Sequence, residues 1–235
     1  MPAHSETFDL TIFLPVFNEQ EIIVRNTERI FDYLSSLNFS FEIVIGSNGS
    51  TDQTPAFGRE LQARHPQVRF FHLTEKGPGA AFRRAVETLC SERLICLDMD
   101  LPVPLDFISE AARLLEDHDI VIGSKKAGVE NRSLLRRLGS GLFIFGAQRL
   151  LKLPYDDYSM GAKAYRKTVL RRYQKTIDTG SSYTERIIYW ASRDGFRVVQ
   201  IPVQCHDERK SRFNLIHQAV YRFKGLWQLW RSQGR

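Results

Sequence analysis

Cysteine is scarce in this chain. Cys90, Cys96 and Cys205 are odd in number and show no Cys-x-x-Cys spacing, which excludes a disulfide framework and a cysteine-based zinc site. A reducing cytoplasm is the compartment expected. No run of about 18 apolar residues occurs, and Met1 to Leu10 carry His4, Ser5, Glu6 and Asp9 where a signal peptide would be apolar. Neither secretion nor a bilayer span is expected. Also missing are a Walker loop and the Gly-x-Gly-x-x-Gly fingerprint, which counts against P-loop NTPases and dehydrogenases. There is no internal repeat, low-complexity tract or obvious linker.

What is present suits a single α/β domain: 235 residues, 43% hydrophobic and 26% charged. The net charge of +6 is unevenly spread. Residues 1–120 hold 10 Lys/Arg against 19 Asp/Glu, a net of −9, and residues 121–235 hold 23 against 8, a net of +15. An acidic first half suits a site that collects a divalent cation. A basic second half suits phosphates, nucleic acid or an anionic membrane surface. Nucleic acid is disfavoured, because aromatic and basic residues do not interleave on one strand surface.

Short apolar runs alternate with helical periodicity, the pattern of βαβ units and a mostly parallel sheet. Strands are predicted at Leu10–Leu14, Phe41–Ile45, Val68–Leu73, Arg93–Leu97 and Asp119–Ile122. Helices are predicted after a cap at Asn18 (Ile23, Ile30, Leu34 and Leu37 on one face) and over 55–63, 79–89 and 104–115. In the second half the pattern gives helices at 132–153 and 183–193, short strands at 161–165 and 196–203, and a basic amphipathic helix at 214–231. That last helix sets Phe223, Leu226, Trp227 and Trp230 on one apolar face, for packing on the sheet or lying in a membrane interface.

The strand Arg93–Leu97 delivers Asp98-Met99-Asp100 to the carboxyl edge of the sheet, where ligands of such folds bind. Alternation points both carboxylates the same way, so they can share one hard cation such as Mg²⁺ or Mn²⁺. Three other turns reach the same edge: Pro15-Val-Phe-Asn-Glu19, Gly46-Ser-Asn-Gly-Ser-Thr-Asp52 and Lys76-Gly-Pro-Gly-Ala-Ala81. Their glycines and short polar side chains fit a nucleoside diphosphate.

With these motifs in this order, the chain from about Leu10 to Leu226 resembles the inverting family-2 glycosyltransferases of GT-A fold, and among them the dolichol-phosphate mannosyltransferase-like enzymes. Pro15-Val-Phe-Asn-Glu19 is similar to the family's Pro-x-(Tyr/Phe)-Asn-Glu, Gly49-Ser-Thr-Asp-Gln-Thr54 to the end of its Asp-Asp-Gly-Ser-x-Asp-x-Thr, and Asp98-Met-Asp-Leu101 to its Asp-x-Asp-Leu. Gly77-Pro-Gly-Ala-Ala81, Ile120-Val-Ile-Gly-Ser-Lys125, Gly161-Ala-Lys-Ala-Tyr165 and Arg209-Lys-Ser-Arg212 match further motifs.

The resemblance implies a nucleotide half over 1–120, an acceptor half over 121–212 and a terminal helix over 213–235. It implies that a GDP- or UDP-hexose contacts Pro15, Phe17, Glu19, Ser47, Asn48, Asp52, Lys76, Gly77, Asp98 and Met99. Asp98 and Asp100 would hold the metal, with His206 a further candidate ligand. Lys125, Arg136, Ser140, Lys163, Arg209 and Arg212 would receive a polyprenyl phosphate acceptor, and Glu185 would be the base if the acceptor were instead a hydroxyl. The enzyme would work at the cytoplasmic face of a membrane, docked through Phe143, Ile144, Phe145, Leu150 and Leu151 with Arg149 and Lys152 and the terminal helix, or through a membrane-protein partner.

Three positions depart from the family pattern. Ser47-Asn48 stands where the family has Asp-Asp, Pro102 where the lipid-phosphate enzymes have Gln, and Met160 where they have Ser. At the first, the Asn48 carbonyl remains able to accept from a base N–H. The departures keep two rival readings open: transfer to a soluble or polysaccharide hydroxyl, and a non-catalytic nucleotide-sugar-binding or regulatory subunit.

Overall fold

The computed structural model describes residues 8–125, 146, 148–155, 160–205 and 215–232, with the side chains of 215–222 and 232 outside the description. The first half alternates strand and helix as the periodicity predicts: β1 (Leu10–Val16), α1 (Ile23–Ser35), β2 (Phe41–Asn48), α2 (Thr54–Arg64), β3 (Val68–Leu73), α3 (Pro78–Glu87), β4 (Arg93–Cys96), α4 (Asp106–Leu114) and β5 (Ile120–Ser124). There follow β6 (Lys163–Arg166), α5 (Lys167–Tyr173), α6 (Tyr183–Arg193), β7 (Val198–Pro202) and α7 (Leu215–Ser232).

The seven strands form one sheet in the order β3-β2-β1-β4-β6-β5-β7. Only β6 runs antiparallel to its neighbours β4 and β5. Strands buried on both faces take mostly apolar residues, which is why β1 and β2 read as near-continuous apolar runs rather than alternating ones. Ile12, Leu14, Ile43 and Ile45 face α1, α2 and α4 on one side. Phe13, Val44 and Leu94 face α3, α5, α6 and α7 on the other. Pro15 lies past the β1–β4 pairing, which spans Thr11–Phe13, so its missing N–H interrupts no bond to β4.

Two expectations fail for identifiable reasons. Asn18 does not cap α1; its φ is +54°, and its Oδ1 instead accepts from the Thr51 N–H at 2.8 Å. The helix starts four residues later, with the N–H groups of Ile22 and Ile23 on the Glu19 carbonyl. In α7, Leu226 and Leu229 turn into the core, whereas Trp227 and Trp230 are 51% and 45% exposed. Three-residue spacing, 226 to 229 and 227 to 230, puts these pairs on different faces of the helix. Leu151, expected at the surface, is buried in the same core. The helix expected at 132–153 falls mostly outside the described residues; within it, 148–151 are helical.

One polar cluster is buried among β1, β2 and β3. The Glu42 carboxylate accepts from Thr11 Oγ1 at 2.7 Å and pairs with Arg69 Nε at 2.7 Å. Removing the cation strands a buried charge, which costs more than the pair contributes. Arg69→Met is therefore expected to lower the unfolding free energy by about 2–3 kcal/mol, below the ~3–5 kcal/mol of a fully buried pair because the Arg69 side chain is 33% exposed. Urea unfolding with an unchanged slope checks this.

Candidate active site

In an open α/β sheet the chain leaves neighbouring strands in opposite directions at one point, and a crevice opens there. Here that point lies between β1 and β4: β1 connects outward to β2, while β4 begins the other half of the sheet. Residues 17–19 follow β1 and residues 98–101 follow β4. Because β6 is antiparallel, its start also lies at this edge, with Lys163 opposite Cys96.

The Asp98-Met99-Asp100 segment is a turn rather than an extended strand. The Leu101 N–H donates to the Asp98 carbonyl at 3.0 Å, and Leu101 has φ +49°. The in–out order expected of a strand nevertheless persists, with Met99 in the core and Asp100 exposed. Gly161 N–H donates to Asp98 Oδ2 at 3.1 Å, and a Cβ on Gly161 would overlap that carboxylate. Glycine is therefore required for the backbone leading into β6 to reach Asp98.

These oxygens suit a hard divalent cation. Asp98 is half-buried and Asp100, two residues on, is exposed. Among the described residues no cluster of three or more His, Cys, Asp or Glu forms. Two carboxylates with diphosphate and water completing the shell is the arrangement Mg²⁺ favours. Cys96 lies behind this turn, and burial pushes its thiol pKa up, so it is an inert core residue.

The turns after β1 and β2 are laced together. The N–H groups of Asn18, Glu19 and Gln20 donate to Ser50 Oγ, Thr54 Oγ1 and Asp52 Oδ2, and the Gln53 N–H returns to Gln20 Oε1. Burial works to raise the Asp52 carboxyl, but hydrogen bonds from Thr54 and Gln20 outweigh it and hold the pKa below the ordinary carboxylate value. Asp52 thus works within the protein, as a latch between two turns.

The Ser47-Asn48 departure has a structural role as well. Asn48, 5% exposed, donates from Nδ2 to the Val16 carbonyl at 2.9 Å and accepts at Oδ1 from the Gly77 N–H at 3.3 Å. An aspartate could not make the donation. Ser47 is buried, with Oγ 3.0 Å from both Ser50 Oγ and His72 Nδ1. In the turn after β1 the Phe17 ring is half-buried, with Lys76 Nζ 4.1 Å over its centroid. The Lys76 turn and the start of α3 are held in turn by the loop at 178–180: a Cβ on Gly77 or Gly79 would overlap its carbonyls, and the Gly79 N–H donates to Thr179 O.

The predicted acceptor residues divide. Lys125 directly follows β5 at the binding edge and is half-buried. Lys163 is 3% exposed and donates to the Met160 carbonyl, so it braces the segment behind Asp98. Glu185 lies in the first turn of α6 and is also buried. Met160, at the third departure, packs into the core. Arg136, Ser140, His206, Arg209 and Arg212, with Phe143, Ile144 and Phe145, lie outside the described residues. Sequence reasoning missed Asn26 of α1, whose Nδ2 donates to the Met99 carbonyl at 2.8 Å. A lone polar residue on the apolar face of a predicted helix was the available signal.

Comparison with known proteins agrees with this geometry. The family described as "Glycosyl transferase family 2" matches residues 11–174. Glycosyltransferase AglD of Haloferax volcanii is 22% identical over 94% of this chain, but the chain spans only 37% of that protein. The dolichyl-phosphate hexose transferase of the same organism is 27% identical over 83% of this chain and 82% of its own length. Glucosyl-3-phosphoglycerate synthase of Mycobacterium tuberculosis, solved with Mn²⁺ and UDP-glucose, superposes with a TM-score of 0.68 at 16% identity, covering 93% of this chain and 79% of that one. The fold is GT-A, and the chain belongs to glycosyltransferase family 2.

Proposed function

We propose that this protein transfers a hexose, mannose or glucose, with inversion, from a GDP- or UDP-sugar to a polyprenyl phosphate at the cytoplasmic face of a membrane. The observation that carries the reading is the Asp98–Asp100 turn at the β1–β4 crevice, with the backbone of the second half bonded to Asp98. The dolichyl-phosphate hexose transferase relative, which the chain matches over most of both lengths, supports the lipid-phosphate acceptor.

Phe17 offers the base a stacking face, and Lys76 swings from that face to the diphosphate. Mg²⁺ or Mn²⁺ held by Asp98 and Asp100 would neutralise charge on the leaving nucleoside diphosphate. An acceptor phosphate oxygen attacks the anomeric carbon as the bond to the diphosphate oxygen breaks, and the nucleoside diphosphate leaves with the electron pair. Because the acceptor arrives anionic, no general base is needed. Lys125 helps to hold it, with Arg136, Ser140, Arg209 and Arg212 as its further partners.

Docking follows from α7. Beside Trp227 and Trp230, Lys224 and Arg231 are exposed, and the Arg231 guanidinium lies 4.7 Å over the Trp227 ring. Gly146 packs against Leu226, and Arg149 and Leu150 nearby in the chain are exposed. Aromatic rings among cations suit an anionic lipid interface. No described helix is long and apolar enough to cross a membrane.

Three outcomes are expected. Asp100→Ala lowers kcat by at least about 100-fold and abolishes activation by Mn²⁺ in a radiolabelled-sugar transfer assay; unchanged metal-dependent transfer refutes the site. Glu185→Gln keeps kcat within about threefold with a polyprenyl phosphate acceptor, since only a hydroxyl acceptor requires a base; a collapse in rate favours the hydroxyl reading. The double variant Trp227→Ser, Trp230→Ser releases the protein from phosphatidylserine vesicles in flotation at low salt, while unchanged flotation places the membrane contact elsewhere.

A further inference from the structure

The two carboxylates can share a cation only if the turn that carries them is held in one conformation. Three of its four residues have evident anchors. Asp98 is bonded to Gly161, Met99 places its side chain in the core, and Leu101 closes the turn on the Asp98 carbonyl. The peptide between Met99 and Asp100 is different, because a cavity of about 470 Å³ opens beside it, walled by Arg25, Asn26, Arg29 and residues 100–105. Packing does not fill that side, so a polar bond must set the orientation of this peptide.

Asn26 supplies it. Its side chain is 2% exposed, and Nδ2 donates to the Met99 carbonyl at 2.8 Å while Oδ1 accepts from Arg25 Nε at 3.4 Å. The carbonyl demands a donor and the guanidinium demands an acceptor, so the two contacts fix which end of the amide is which. Rotation of the Met99–Asp100 peptide would break the first bond and move the Asp100 carboxylate.

We infer that Asn26 is a positioning residue for the cation site: from α1 it locks the Met99–Asp100 peptide so that Asp100 faces the same cation as Asp98. This rests on the proposed reading of Asp98 and Asp100 as cation ligands. Partners that orient ligating carboxylates commonly change metal affinity when lost, without touching the metal themselves.

The test is Mn²⁺ titration of the whole chain by electron paramagnetic resonance with GDP or UDP present, alongside thermal unfolding. Asn26→Ala and Asn26→Asp are expected to weaken Mn²⁺ binding about 10- to 100-fold, with transfer recovering as Mn²⁺ is raised, while Thr27→Val, at the neighbouring buried position of α1, stays within about twofold of wild type. Asn26→Asp preserves side-chain volume while replacing the donor with a carboxylate, so the test stands even if the alanine variant does not fold. Unchanged Mn²⁺ affinity in the Asn26 variants, or an equal loss in Thr27→Val, overturns the inference and leaves the proposed transfer intact. Failure of the wild-type protein to bind Mn²⁺ with either nucleotide overturns both.

Discussion

The contact between Asp98 and the backbone of Gly161 is the point on which the candidate site depends. Asp98 follows β4 in the first half of the chain, and Gly161 leads into the antiparallel strand β6 of the second half. A side chain at 161 has no room, so the backbone N–H of Gly161 reaches the Asp98 carboxylate directly. A hydrogen bond to a charged acceptor is stronger and more directional than a neutral one, and it holds Asp98 in place before any ligand arrives. Lys163 reinforces the same junction from behind by tying down the Met160 carbonyl.

Around that junction, polar residues serve the scaffold more than a motif reading suggests. Asn18, Ser50, Asp52 and Thr54 bind one another's turns. Asn48 spans from the end of β1 to the start of α3. A turn built without regular secondary structure must satisfy its backbone N–H groups from side chains, and short polar residues are the ones that reach. The loss of the Asp-Asp pair therefore changes how the turns are held together, and the absence of a carboxylate at Asn48 is offset by an amide that both donates and accepts.

The electrical asymmetry of the chain finds a physical place in this arrangement. Acidic Asp98 and Asp100 sit at the end of the first half, and cations such as Lys125 follow at the same edge of the sheet. A diphosphate and an acceptor phosphate repel each other, so a site that brings them together must supply positive charge from two directions. On α7 the same basic character is paired with exposed tryptophans on one face, while Leu226 and Leu229 fasten the other face to the core.

The sequence by itself determined the strand–helix alternation, the mostly parallel sheet and the edge on which the site lies, because burial on both faces of a parallel sheet leaves long apolar runs that only a few topologies can satisfy. It also marked Asp98 and Asp100 as the candidate cation ligands, two carboxylates that follow an apolar strand at that edge. Tertiary structure alone decided the rest. The antiparallel turn of β6, the approach of Gly161 to Asp98 and the bond from Asn26 to Met99 join residues 63 and 73 positions apart. The split of α7 into a Leu face and a Trp face, and the use of Asn18 as a lace rather than a cap, depend on which neighbour is within reach. Local periodicity records how a segment buries itself, but not which distant backbone group waits at the end of its side chain.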